Sequence, residues 1–338
     1  MNLKGLFLEE LQEIFCSLEL PKYRADQVYQ WLYQKQVCNW DQVTVFSKEL
    51  RQFFRDNNFS LNCLTIKKQV ADNDGTIKFL FELEDCLSVE SVYIPENDRQ
   101  TVCISTQVGC GMGCLFCATG HNGLKRNLAA AEIIDQLLRI TKVLGKRITN
   151  LVIMGQGEPL ANYEQTLKSV KIINDPKGIG LGARHITIST CGLVPGIKKL
   201  AKEPLQINLA ISLHAADDQL RQYIMPVNKV YPLFDLIQAC REYIENTGRR
   251  ITFEYILIDK VNDRPEDLNN LVRLLSGMLC HVNLIPYNSF PDSIFKRSKP
   301  ERIREFERVL NQAHIETTIR KERGTNTAAA CGQLQGKI

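Results

Sequence analysis

From Thr101 onward, strand-like runs alternate with helical ones, and this alternation limits the fold more than any other feature of the 338 residues. The strand-like runs are Val102-Cys103-Ile104, Leu151 to Met154, Ile186-Thr187-Ile188, Ile207 to Ile211, Ile251 to Leu257, Val282 to Ile285 and Thr317-Thr318-Ile319. Helical periodicity fills the intervals, over Ala130 to Leu144, Tyr163 to Ile173, Leu233 to Glu245, Pro265 to Leu275 and Pro300 to Ala313. Repeated βα units build a parallel sheet, and this number of units predicts a full or partial barrel. The expected class is α/β, with chemistry at the carboxyl ends of the strands.

Upstream, the pattern differs. Leu6 to about Asn58 reads as helices, with Phe7, Leu8, Leu11, Ile14 and Phe15 on one stripe. Leu64 to Pro95 alternates with period two around the turn Asp72-Asn73-Asp74-Gly75, as antiparallel strands do. The expected organisation is a helical accessory domain over 1–60, an antiparallel β extension over 61–100 and the barrel over 101–338. Arg24, Tyr29, Trp31, Tyr33 and Lys35 of the helical part offer aromatic and basic contacts to nucleic acid, although such a stripe more often serves as core.

No apolar run is long enough to span a bilayer, and the start of the chain turns acidic at Glu9 and Glu10, unlike a secretion signal. The expected location is the cytoplasm. Twelve cysteines there are expected to be reduced, as ligands, reactive thiols or core, and to form no disulfide framework. Cys16, Cys38, Cys63, Cys86, Cys191, Cys240 and Cys280 lie scattered in apolar or helical surroundings and read as plain thiols. The net charge of +4, with basic clusters in the central and C-terminal parts, permits an RNA partner without requiring one.

Cys110, Cys114 and Cys117 are different. They form C-x-x-x-C-x-x-C in a Gly-rich loop after the first barrel strand, giving a metal centre three thiolates and no local fourth. Structural zinc wants four closed positions, whereas a four-iron cluster held by three thiolates keeps one iron open to a small ligand. Polar clusters follow the other strands: Gly155-Gln156-Gly157-Glu158-Pro159, Ser189-Thr190-Cys191-Gly192, Ser212-Leu213-His214 and Pro286-Tyr287-Asn288. Gly157 and Glu158 suit an amino-acid ammonium group. Ser189, Ser212 and Asn288 suit a ribose and an adenine edge, and His214 is given a binding role.

The motif spacing and the Gly-Glu pair resemble those of the radical S-adenosylmethionine superfamily. Val89 to Pro95, Ser105 to Cys110, Met154 to Pro159, Ser212-Leu213-His214 and Ala329 to Leu334 narrow the likeness to the RlmN family of bacterial RNA adenine-C2 methyltransferases. The resemblance covers the chain from its N-terminal helices to its last residues. It implies a partial barrel of the radical S-adenosylmethionine type, a [4Fe-4S] cluster on Cys110, Cys114 and Cys117, and S-adenosylmethionine held by Gly157, Glu158, Ser189, Ser212, Leu213, His214 and Asn288. It also implies methylation of adenine C2 in 23S rRNA and in certain tRNAs.

Three more residues gain a meaning from the resemblance. Cys331 matches the thiol that first takes a methyl group, Cys103 the thiol that resolves the protein–RNA adduct by forming a disulfide with Cys331, and Glu90 the acid/base group. Read without it, Cys103 is a buried strand residue and Glu90 an exposed one. An electron donor such as flavodoxin, a monomeric state and no membrane partner are expected. Two other readings are a C8-adenine methyltransferase of the antibiotic-resistance type and a non-catalytic metal-containing RNA-binding protein. Glu158-Pro159 and Val92 to Pro95 look more like the C2 enzymes, and a passive protein needs neither Cys103 nor Cys331. Many relatives carry a longer basic tail after Cys331, so RNA affinity is expected to lean on other surfaces. Gln156 stands where methionine is frequent, and little change in cofactor grip is expected from it.

Overall fold

The computed structural model describes residues 1–291 and 293–336. Ten strands form one sheet and two short ones a separate hairpin. In chain order they are β1 Thr65–Ala71, β2 Ile77–Glu82, β3 Ser88–Glu96, β4 Arg99–Cys103, β5 Gln107–Gly109, β6 Leu124–Asn127, β7 Asn150–Ile153, β8 Ile186–Thr190, β9 Asn208–Ser212, β10 Ile251–Leu257, β11 Cys280–Pro286 and β12 Thr317–Ile319. The sheet order is β1-β2-β3-β4-β7-β8-β9-β10-β11-β12. From β4 to β12 all neighbours run parallel, and β1 to β4 pair antiparallel. Strands β1 and β12 end the order without pairing to each other, so the barrel is partial. The predicted fold class is the one observed, and the antiparallel strands extend the barrel's own sheet.

The parallel strands are apolar because helices cover them. Ile251, Phe253, Tyr255 and Leu257 of β10 are buried, as are Ile186 and Ile188 of β8. The helix Ala130–Leu144 turns Ile133, Ile134, Leu137, Leu138 and Ile140 inward, and Gly145 ends it at φ 60°.

Helices Leu8–Ser17, Lys22–Tyr33 and Lys48–Asp56 make the N-terminal module. Its core stacks aromatic rings: Trp40 lies 4.3 Å from Phe54, and Phe15 lies 5.1 Å from Phe54. Tyr29 and Tyr33 belong to this core. The Tyr29 hydroxyl donates to Asp175 at 2.8 Å, and the Gly5 amide donates to the Tyr33 hydroxyl at 2.9 Å. Of the five residues offered above to nucleic acid, these two are therefore structural, while Lys35 is exposed.

The expectation that the seven scattered cysteines are plain thiols fails for two of them. Cys38 and Cys63 form a disulfide, their Cα atoms 5.3 Å apart. Cys38 follows the second helix and Cys63 precedes β1, so folding and not local spacing brings them together. The Lys4 ammonium stands 3.0 Å from the Cys63 sulfur and pairs with the buried Asp135 at 2.5 Å. No helix among the described residues is long and apolar enough to cross a membrane.

Candidate active site

A cavity of about 160 Å³ lies at the carboxyl ends of the parallel strands. Cys110, Cys114 and Cys117 line one side, Gly155, Gly157 and Glu158 another, and Ser189, Ser212 and His214 close it. Cys103 and Cys331 line it as well. Leu213, Asn288 and Glu90 are not on its wall. Leu213 is fully buried, its carbonyl accepting from Arg221 Nε at 3.0 Å, and Asn288 lines a neighbouring polar cavity of about 950 Å³ that also reaches Cys331.

The cysteine loop hangs from the hairpin β5–β6. Gly109 sits at φ 75°, and a Cβ there would come within 1.9 Å of the Gly123 carbonyl oxygen, so the loop closes on bare backbone. The Cys110 amide donates to that carbonyl at 3.0 Å, and the Cys117 amide donates to the Cys114 carbonyl at 3.1 Å. Gly157 sits at φ 100°, where a Cβ would meet the Gln107 side chain at 2.5 Å. That close approach keeps the wall beside Glu158 tight.

Burial pushes the Cys110 thiol up to about 12 and the Cys114 thiol well above its usual value. Three thiols held unoxidised in an apolar shell of Met112, Leu115 and Phe116 fit a soft metal centre, which stabilises the thiolates that burial disfavours. Among the described residues, no three His, Cys, Asp or Glu side chains converge on a single ion. A cluster, in which each thiolate binds its own iron, does not need such convergence.

Both oxygens of Glu158 accept backbone amides, Oε1 from Leu160 at 3.0 Å and Oε2 from Cys191 at 2.7 Å. These bonds fix the carboxylate on the cavity wall. Burial nevertheless raises it above the usual carboxyl range, so an ammonium group arriving in the cavity would be its natural counter-charge. His214, at φ 61°, accepts the Ile256 amide on Nδ1 at 3.0 Å and meets the edge of Phe116 at 4.8 Å. Burial, with Arg221 nearby, lowers it to about 3. The ring is neutral, and with Nδ1 accepting, its proton sits on Nε2.

Glu90 is wholly buried, against the exposed position that alternation in β3 predicted. Strand β3 is covered on both faces, by the sheet's helices and by the C-terminal segment, so period-two alternation there does not separate inside from outside. Glu90 Oε2 accepts the amides of Gln335 at 2.6 Å and Gly336 at 2.8 Å. The Gln156 side chain accepts the Glu90 amide at 2.9 Å, so this residue ties the Gly-Glu loop to β3 as well as standing in it. Cys103 is buried in β4 as predicted, and burial pushes its thiol up to about 12. Cys331 is exposed on the wall of the open cavity, and the protein packed around it still raises its thiol, against the lowering effect of Arg320.

One buried residue has no counterpart in the sequence reading. Arg221, fully buried, donates to the carbonyls of Leu213, Cys191 and Ser212 and to Asn228 Oδ1. It locks two of the strand-end loops, those after β8 and β9, to the turn that carries Asn228. Its helix, Asp218–Ile224, is too short to show a buried face by periodicity.

Residues 1–57 match the model of the ribosomal RNA large subunit methyltransferase N-terminal domain, and residues 104–275 that of the Radical SAM superfamily. A probable dual-specificity RNA methyltransferase RlmN of Alkaliphilus oremlandii is 51% identical, over 100% of this chain and 98% of its own length. The chain belongs to the RlmN family. Its relative in Thermoanaerobacter sp. is 48% identical over 99% of this chain and 98% of its own. A radical SAM methyltransferase from Sphaerobacter thermophilus superposes with a TM-score of 0.96 at 47% identity, covering 100% of both chains. Streptococcus suis SuiB bound to precursor peptide SuiA, at 17% identity and a TM-score of 0.51 over 67% of this chain and 49% of that one, shares the fold alone. As a member of the RlmN family the chain is an enzyme, a methyltransferase of the radical SAM type, and the superfamily implies an iron–sulfur cluster and S-adenosylmethionine.

Proposed function

We propose that this enzyme methylates C2 of one adenine in 23S rRNA and of one in certain tRNAs, through a methyl group carried on Cys331. The observation that carries the reading is that Cys331, Cys103 and the three motif cysteines line one cavity. The relatives' printed dual specificity for RNA supports the substrate class. We place the reaction in the cytoplasm, where both RNAs are made and used.

Cys110, Cys114 and Cys117 would hold the cluster, and Gly157, Glu158, Ser189, Ser212 and His214 the S-adenosylmethionine. When bound, the pair would supply radical chemistry able to remove a hydrogen atom from a methyl group on Cys331 and would take back one electron from the RNA adduct. C2 of adenine lies between two ring nitrogens, is electron-poor and does not attack a sulfonium, so its new carbon must arrive as a radical. Cys331 serves as the carrier. Its thiol takes a methyl group from one S-adenosylmethionine and, after hydrogen loss, presents that carbon to C2.

Glu90 then takes the proton from C2. Attack by Cys103 on the Cys331 sulfur forms the S–S bond and breaks the bond from sulfur to carbon, and the freed carbon takes up a proton to become the methyl group. Segment 324–331 is rich in small residues, which suits a thiol that serves two stations.

We assign RNA holding to the N-terminal helices. Tyr23 is 53% exposed, with the Arg24 guanidinium 5.0 Å from its ring centre, a flat cationic platform of the kind that stacks bases. The test is anaerobic reconstitution with iron and sulfide, then incubation with S-adenosylmethionine, a reductant and a 23S rRNA fragment, followed by nucleoside mass spectrometry. 2-Methyladenosine is expected. 8-Methyladenosine would keep the carrier chemistry and overturn the position, and binding of zinc in place of a cluster would overturn the radical mechanism.

A further inference from the structure

Strands β2 and β3 pair Leu80 with Glu90 and Lys78 with Val92, so Lys78 and Glu90 are diagonal neighbours on one face of the sheet. Val92 in turn pairs with Cys103 on β4, which puts the resolving thiol in the same row as Lys78. The Lys78 ammonium lies 2.9 Å from Glu90 Oε1 and donates to the Ala328 carbonyl at 3.2 Å. Lys78 is 4% exposed and Glu90 0%. Oε1 takes no aligned hydrogen bond, so its contact to the ammonium is ionic.

The pair therefore grips the C-terminal segment on both sides of Cys331: Lys78 at Ala328 before it, Glu90 at Gln335 and Gly336 after it. The β1–β2 turn holds the same segment further upstream. Asp72 accepts the Asn326 amide at 2.9 Å, and Asp74 accepts the Gly324 amide at 3.0 Å. A buried ion pair is poor value for stability alone, since packed apolar side chains do as well. Here each member also contacts the chain that carries the reactive thiol.

Resting on the reading of Cys331 and Glu90 given above, we propose that Lys78 is a positioning residue of the methyl-transfer site. Its ammonium fixes the Glu90 carboxylate and registers segment 328–336 over it, so that the carbon delivered by Cys331 and the base that takes the C2 proton meet at one place. The proton passes from C2 to Glu90 Oε1, and Lys78 neither gains nor loses one.

The test compares full-length reconstituted wild type with Lys78→Met, Lys78→Arg and Glu90→Gln. Three quantities are read: methyl occupancy of Cys331, the fraction of enzyme covalently joined to RNA, and hydrogen exchange at Gln335 and Gly336 without RNA. Lys78→Met is expected to methylate Cys331 normally, to release 2-methyladenosine about a hundredfold more slowly while adduct accumulates, and to exchange both amides at least about tenfold faster. Lys78→Arg keeps the charge with a different reach and is expected to restore release to within about tenfold of wild type.

Wild-type partition between adduct and product in Lys78→Met, or unchanged exchange at the two amides, would overturn the proposal. Should Lys78→Met fail to fold, Lys78→Gln takes its place: excess adduct is expected, and wild-type partition overturns the proposal. If wild type itself forms neither methyl-Cys331 nor an adduct, the reading of Cys331 falls. The exchange data still judge whether Lys78 holds the segment.

Discussion

The Arg320 guanidinium lies 3.8 Å from the Glu254 carboxylate, on a cavity wall shared with Cys103 and Cys331. One basic and one acidic side chain thus bear on the same thiol with opposite sign. Burial raises Cys331, Arg320 opposes that rise and Glu254 adds to it.

The Cys331 thiol is therefore expected to be neutral at pH 7, and its alkylation rate to climb from pH 7 to 9 without a plateau. Arg320→Leu removes the lowering charge and should slow alkylation at each pH by about tenfold. Glu254→Gln should act in the opposite direction. Rates read by peptide mass spectrometry check both signs.

Gly157→Ala should destabilise the fold by about 2–4 kcal/mol, because the new methyl group meets Gln107 at 2.5 Å in a backbone region that alanine avoids. Denaturant unfolding measures the loss. Cluster content after reconstitution should fall in parallel as the wall shifts.

His214 contributes a pH dependence of known sign. Unfolded, it binds a proton near pH 6.5, while the folded ring resists protonation until about 3. Its contribution is complete above about pH 6.5 and fades as pH falls, by about 1.4 kcal/mol per pH unit. His214→Asn should be less stable at pH 7 and should show a shallower loss between pH 6 and 4. Unfolding curves at several pH values give both slopes.

The Cys38–Cys63 bond joins residues separated by 25 positions. Replacing both by serine should cost about 3 kcal/mol if closing that loop restricts the unfolded chain. Thermal unfolding with and without reductant should reproduce the difference in wild type and show none in the double variant.

The barrel was legible because buried parallel strands and amphipathic helices have distinct periods. Helices Ala130–Leu144 and Pro265–Leu275 and strand β10 fall at their predicted bounds. The hairpin β5–β6 was not predicted, since Leu124-Lys125-Arg126-Asn127 is short and polar and owes its pairing to the cysteine loop it closes. The cavity residues Cys110, Cys114, Cys117, Gly157 and Glu158 announce themselves by spacing. Lys78, Arg221 and the Cys38–Cys63 pair do not, because each gains its role from partners distant in sequence, as Lys78 does from Ala328.

The central claim is that the carbon placed on the RNA passes through Cys331. Enzyme carrying an isotope-labelled methyl group on Cys331, washed free of donor, would be given unlabelled S-adenosylmethionine, reductant and RNA for one turnover. The account predicts that the label leaves Cys331 and appears in 2-methyladenosine. Label retained on Cys331, with an unlabelled methyl group on the RNA, would contradict it.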